Sequence, residues 1–113
     1  MEKIVEQGLL YDFYGELLTE HQKKIYEDVV YNDLSITEIA KENNVSRQGI
    51  HDLVRRCDHA LQEYEDKLHL VERFVSIRNR VRELEELTED DRITRQALIQ
   101  EVKAFSHQIL EEL

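Results

Sequence analysis

The chain has 113 residues, with 15 Lys and Arg against 25 Asp and Glu for a formal net charge of −10, and 41% of it is hydrophobic. That apolar share excludes global disorder, and the length suffices for a compact core without disulfides or metal. Pro is absent, Gly occurs three times and Cys once, which excludes an intramolecular disulfide and a turn-rich β fold and points to an all-α protein.

The spacing predicts a first helix over about 2–18, with Ile4, Val5, Leu9, Phe13 and Leu17 on one stripe. Thr19 and Gln22 form a capping-box pattern that starts a second helix over 20–31, with Ile25, Val29 and Val30 inward. Tyr11, Tyr14, Tyr26 and Tyr31 read as the edge of an amphipathic core in preference to an aromatic binding platform. Asn32-Asp33 breaks the pattern. Ser35 then caps a short helix, with Glu38 closing the box and Leu34 stapled onto Ile39. That helix ends near Asn43-Asn44, a pair suited to a left-handed turn. Ser46 caps the next helix, whose apolar stripe is Ile50, Leu53, Val54, Cys57, Leu61 and Tyr64. Two helices joined this tightly must cross steeply, as in a helix-turn-helix. Beyond residue 64, Leu70, Phe74, Ile77, Val81 and Leu84 step in a heptad seam. Thr88 and Asp91 occupy cap positions for a last helix over about 90–112, lined by Leu98, Val102, Phe105, Ile109 and Leu113. The expected organisation is a helix-turn-helix domain over 1–67 and a helical extension over 68–113.

The helix-turn-helix core is residues 36–56. Ala40 sits where the two helices meet, since only a small side chain permits that approach, and Ile39 and Val45 seal the turn. Asn43 and Asn44 occupy positions where such motifs usually carry Leu and Gly. The expected DNA-contacting residues are Ser46, Arg47, Gln48, His51, Arg55, Arg56 and His59. Arg47 and Arg55 suit guanine edges or phosphates and Gln48 suits adenine, if the helix docks in a major groove. Charge is distributed to match. Residues 1–34 carry three lysines against eight acids, while residues 45–57 carry three arginines against Asp52 alone. One helix is thus locally basic within an acidic chain, so binding away from the right site is expected to be weak.

The stretch LSITEIAKENNVSRQGIHDLVRRCDHAL resembles the promoter-reading helix-turn-helix of bacterial sigma factors, region 4. No second region able to bind core polymerase and melt DNA accompanies it. The chain resembles more closely the YlxM-like family of small bacterial proteins, through YDFYGELLTEHQKKIYED at 11–28, the helix-turn-helix after it and the REL-rich helix at 82–87. That resemblance covers roughly residues 1–87. It implies a gene beside those of the signal recognition particle GTPase and its receptor, and a regulatory or accessory role in that targeting pathway. It supplies no catalytic residues.

Further readings are of absence. The histidines form no HExxH and no pairing with cysteines, so no metal site is expected. Cys57-Asp58-His59 is no nucleophile pair, because Cys57 lies on the apolar stripe. No glycine-rich phosphate loop is present, so neither a cofactor, a small-molecule substrate nor an enzymatic activity is expected. No apolar run reaches the ~18–20 residues that span a bilayer. The acidic N-terminus lacks a signal peptide's apolar core, and the expected location is the cytoplasm. Two functions stay open: a dimeric DNA-binding regulator using residues 46–59, or an accessory factor binding protein or RNA of the targeting machinery. A homodimer is expected from residues 68–113, where a two-helix hairpin leaves Val71, Val75, Ile99 and Leu110 partly uncovered; the alternative is a monomer whose last helix folds back onto residues 2–31.

Overall fold

A computed structural model describes residues 2–112. They form six α-helices: α1 (Lys3–Tyr14), α2 (Glu20–Val30), α3 (Ile36–Glu42), α4 (Arg47–Leu68), α5 (Leu70–Glu89) and α6 (Arg95–Glu112). No strand occurs among the described residues, so the fold is all-α. The chain divides into two compact units, one ending at Val71 and one starting at Glu72.

In the first unit α4 is the central helix, packed by α1, α2 and α3. Ile25 of α2, Ile39 and Ala40 of α3 and Ile50 of α4 form one buried cluster, with Val29, Ile36 and Leu53 against it. Ala40 therefore stands at the expected crossing. Farther along α4, Cys57 and Leu61 are fully buried. Tyr14 of α1 lies 6.0 Å from the Tyr64 ring, centroid to centroid. Two of the four tyrosines expected at the core edge are in the core itself: Tyr14 and Tyr26 are buried, while Tyr31 is half exposed.

Local starts and stops follow side-chain chemistry. Thr19 and Gln22 exchange the two bonds of a capping box, at 3.1 and 2.9 Å. Ser35 Oγ accepts from the Glu38 amide at 3.1 Å, and Ser46 Oγ from the Gly49 amide at 3.0 Å. Asn44 takes the left-handed conformation with φ 55°. Asn43 does not simply give up an apolar contact: its Nδ2 donates to the Ile39 carbonyl at 2.7 Å, which also accepts from the Asn43 amide at 3.1 Å.

Four local expectations are corrected. The first helix stops at Tyr14 and continues as a 3-10 turn over Gly15–Leu17. The Tyr11 ring packs over Gly15, where a Cβ would stand 2.9 Å from it. Val45 is 48% exposed, so it does not seal the turn as a core residue would. The last helix starts at Arg95, because Thr94 is its cap, accepting from the Ala97 amide at 3.1 Å. Thr88 instead belongs to the last turn of α5, where its hydroxyl donates to the Glu85 carbonyl.

Between α4 and α5, His69 is left-handed with φ 56°, which ends α4. The Leu70 amide donates to the Tyr14 hydroxyl at 3.1 Å and the Val71 amide to the Glu65 carboxylate at 2.9 Å. Tyr14 in turn donates to Glu65 at 2.5 Å. The second unit is α5 followed by α6, joined by the turn before Thr94 and tied by an Arg80–Glu101 bridge of 2.8 Å. Leu98, Phe105 and Ile109 are half-buried, and α6 has no buried residue. Leu113, expected on the same face, lies outside the described residues. Val71, expected to stand partly uncovered, is buried because it belongs to the first unit.

Candidate nucleic-acid interface

The face of α4 begins at its cap. Ser46 holds the first turn closed, so Arg47 and Gln48 leave the helix at its exposed start. At about 100° per residue, Arg47, His51, Arg55, Gln48 and His59 fall within an arc of about 120°. Ile50, Cys57 and Leu61 point the other way, into the core. All seven residues expected to contact DNA, Ser46, Arg47, Gln48, His51, Arg55, Arg56 and His59, are exposed. The structure gathers five of them on one face. Arg56 stands about 60° beyond its edge, and Ser46 is occupied by its capping bond.

The face is not purely basic. Asp52 borders it, about 20° beyond its edge, accepting from Gln48 Nε2 at 3.0 Å and pairing with Arg55 at 3.4 Å. His59 pairs with Glu63 at 3.1 Å. These are exposed pairs one helical turn apart, worth about 0.3–0.5 kcal/mol each, so a ligand can displace them cheaply.

Two features escaped the sequence reading. The first is Lys3, which lines a cleft of about 400 Å³ together with Glu6, Gln7, Arg55, His59 and Gln62. It sets a lysine beside the face from 52 positions before Arg55; nothing local to residues 46–59 signals it. The second is Asp58, whose carboxylate accepts from Tyr26 at 2.6 Å and from Gln7 at 3.0 Å. One acidic side chain thereby ties α1 and α2 to α4 and holds the helix under its exposed face. Burial, reinforced by the bond to Asp58, pushes the Tyr26 phenol well above its ordinary range. Burial also raises the Cys57 thiol, with Asp58 adding to the effect, so Cys57 is a protonated core residue at neutral pH.

No helix among the described residues is long and apolar enough to cross a membrane. Comparison with known proteins agrees with this architecture. Residues 1–103 match the model of the family described as "Putative helix-turn-helix protein, YlxM / p13 like". A UPF0122 protein of Acetivibrio thermocellus is 44% identical over 84 residues, covering 74% of this chain and 72% of its own. One from Bacillus cereus is 36% identical over 105 residues, covering 93% of this chain and 96% of its own. One from Shouchella clausii is 41% identical over 91 residues, covering 80% and 84%. With a capped helix-turn-helix in place and the family match running nearly end to end, the chain belongs to the YlxM / p13-like helix-turn-helix family.

Proposed function

We propose that this protein is a cytoplasmic DNA-binding regulator, dimeric and without catalytic activity, that lays α4 in a major groove. The observation that carries the reading is the single exposed face formed by Arg47, Gln48, His51 and Arg55 on a helix whose opposite side is fully buried. Arg47 reads a base edge, and Arg55, Arg56 and Lys3 meet phosphates. The dimer reading is supported by α6, an 18-residue helix with apolar side chains and no buried residue. A two-fold protein calls for a two-fold symmetric site.

Asp52, bordering the face and already paired, favours a second reading. In it the same surface engages a protein or RNA component of the signal recognition particle pathway, with the acidic chain acting as an accessory factor. Salt decides between a phosphate-contacting ligand and a protein partner. Fluorescence anisotropy on a duplex selected from random sequence should show affinity falling steeply with salt, and Arg47→Ala should weaken binding by about 1–3 kcal/mol at one sequence position. If selection enriches nothing and the wild type binds no better than the Arg47, Arg55, Arg56 triple Ala variant, DNA is not the ligand. Titration with the particle's RNA and with its GTPase then tests the second reading.

A further inference from the structure

Helix α5 carries its charge in two blocks. Residues 72–82 hold Arg73, Arg78, Arg80 and Arg82 against Glu72, and residues 83–89 hold four acids and no base. An isolated helix favours the opposite order, with acids at its positive N-terminal end and bases at its C-terminal end. Within the second unit only part of this imbalance is relieved: Arg80 pairs with Glu83 and Glu101 at 2.8 Å. Among the described residues, Arg73, Arg78 and Arg82 make no ion pair, and neither do Glu85, Glu86 and Glu89. Beside these charges Ile77 and Val81 are 37% and 38% exposed, and Leu84 continues their stripe one turn on.

We propose that the occupant of this face is the α5 of a second copy, running antiparallel, with Val81 of one protomer against the partner's Leu84. The proposal rests on the dimer reading above and adds its orientation. A helix that is basic at one end and acidic at the other complements itself only when reversed, and reversal also opposes the two helix dipoles. In the register that pairs Val81 with the partner's Leu84, Arg78 flanks the seam on the same side as the partner's Glu85, and two-fold symmetry repeats the contact. A parallel pair would instead set the arginine blocks against each other.

Charge exchange at these two exposed positions tests the orientation. Sedimentation equilibrium of the full chain is measured for the wild type, Arg78→Glu, Glu85→Arg, the double exchange and an equimolar mixture of the two single variants. Far-ultraviolet circular dichroism confirms that each remains helical. Each single variant should dissociate roughly tenfold more readily, because two attractive contacts become repulsive. The double exchange should recover the wild-type constant. The mixture should dimerise more strongly than either component, since each heterodimer again pairs opposite charges twice. A wild type that sediments as a 13.5 kDa species overturns the dimer reading and this proposal with it. A dimeric wild type whose single variants are unaffected, or which Arg78→Glu tightens, leaves the dimer standing and overturns the antiparallel α5 seam.

Discussion

The first unit holds every buried hydrophobic residue of the described chain, from Leu10 to Val71, whereas α6 buries none. Both stretches carry apolar stripes at helical spacing, so stripe content alone does not separate them. The difference is the number of neighbours each helix has to bury that stripe against. Helix α4 meets three other helices of its unit, while the second unit consists of α6 and the greater part of α5 alone. An amphipathic stripe is a requirement for a partner, and the count of partners decides whether a core forms within one chain.

All five tyrosines, at 11, 14, 26, 31 and 64, lie in the first unit. Near-ultraviolet circular dichroism of tyrosine therefore reports on that unit alone, and this makes the contrast breakable. The largest expected effect is alkaline. Burial and bonds to carboxylates raise the phenols of Tyr11, Tyr14 and Tyr26 above their ordinary value. A raised folded value means that the unfolded chain releases these protons first. The stabilisation is complete below about pH 10 and is lost as pH rises beyond it. The tyrosine signal should collapse on titration above pH 10, while the second unit, which has neither Tyr nor Cys, is not destabilised by this route. A tyrosine signal intact at pH 12 would contradict the account of Tyr26 and Asp58.

Ile50→Ala should come next, costing about 2–5 kcal/mol, because it empties the centre of the α2–α3–α4 cluster. Urea melts followed by tyrosine signal should show the midpoint fall. An unchanged midpoint would mean that this cluster does not hold the first unit together. Asp58→Ala should cost about 1–3 kcal/mol, since it strips the buried Tyr26 hydroxyl of its acceptor. Tyr26→Phe should cost less, and the reverse order would show that the carboxylate is not the hub. Ser46→Ala is the mildest, about 1 kcal/mol through the lost cap. It should leave the alkaline transition in place, so a variant lacking tyrosine signal at neutral pH would show that the cap organises far more than its own turn.

What was legible in the sequence was local. Thr19 with Gln22, the Ser35 and Ser46 caps and Asn44 all act on atoms within one helical turn, where spacing alone carries the information. Ala40 was legible because a turn this tight forces a close crossing that only a small residue permits. The exposed face of α4 followed from its stripe by subtraction. What was missed acts at a distance. Asp58 takes partners 32 and 51 positions away, and beside Cys57 and His59 it offered only a misleading local triplet. Lys3 reaches the cleft by the packing of α1, which no pattern within α1 specifies. Thr88 reads as the cap of the last helix, but its hydroxyl bonds the Glu85 carbonyl and Thr94 holds that place.

The joint at His69 has a consequence for how the chain is made. The groups that receive the first amides of α5, the Tyr14 hydroxyl and the Glu65 carboxylate, both precede the helix they cap. A chain leaving the ribosome from its N-terminus presents these acceptors before α5 exists, and everything the first core buries has emerged by Val71. That core can close while α6 is still being synthesised, at a pace of about 5–20 residues per second. Each new chain would then complete its first unit alone, with α5 and α6 finished last.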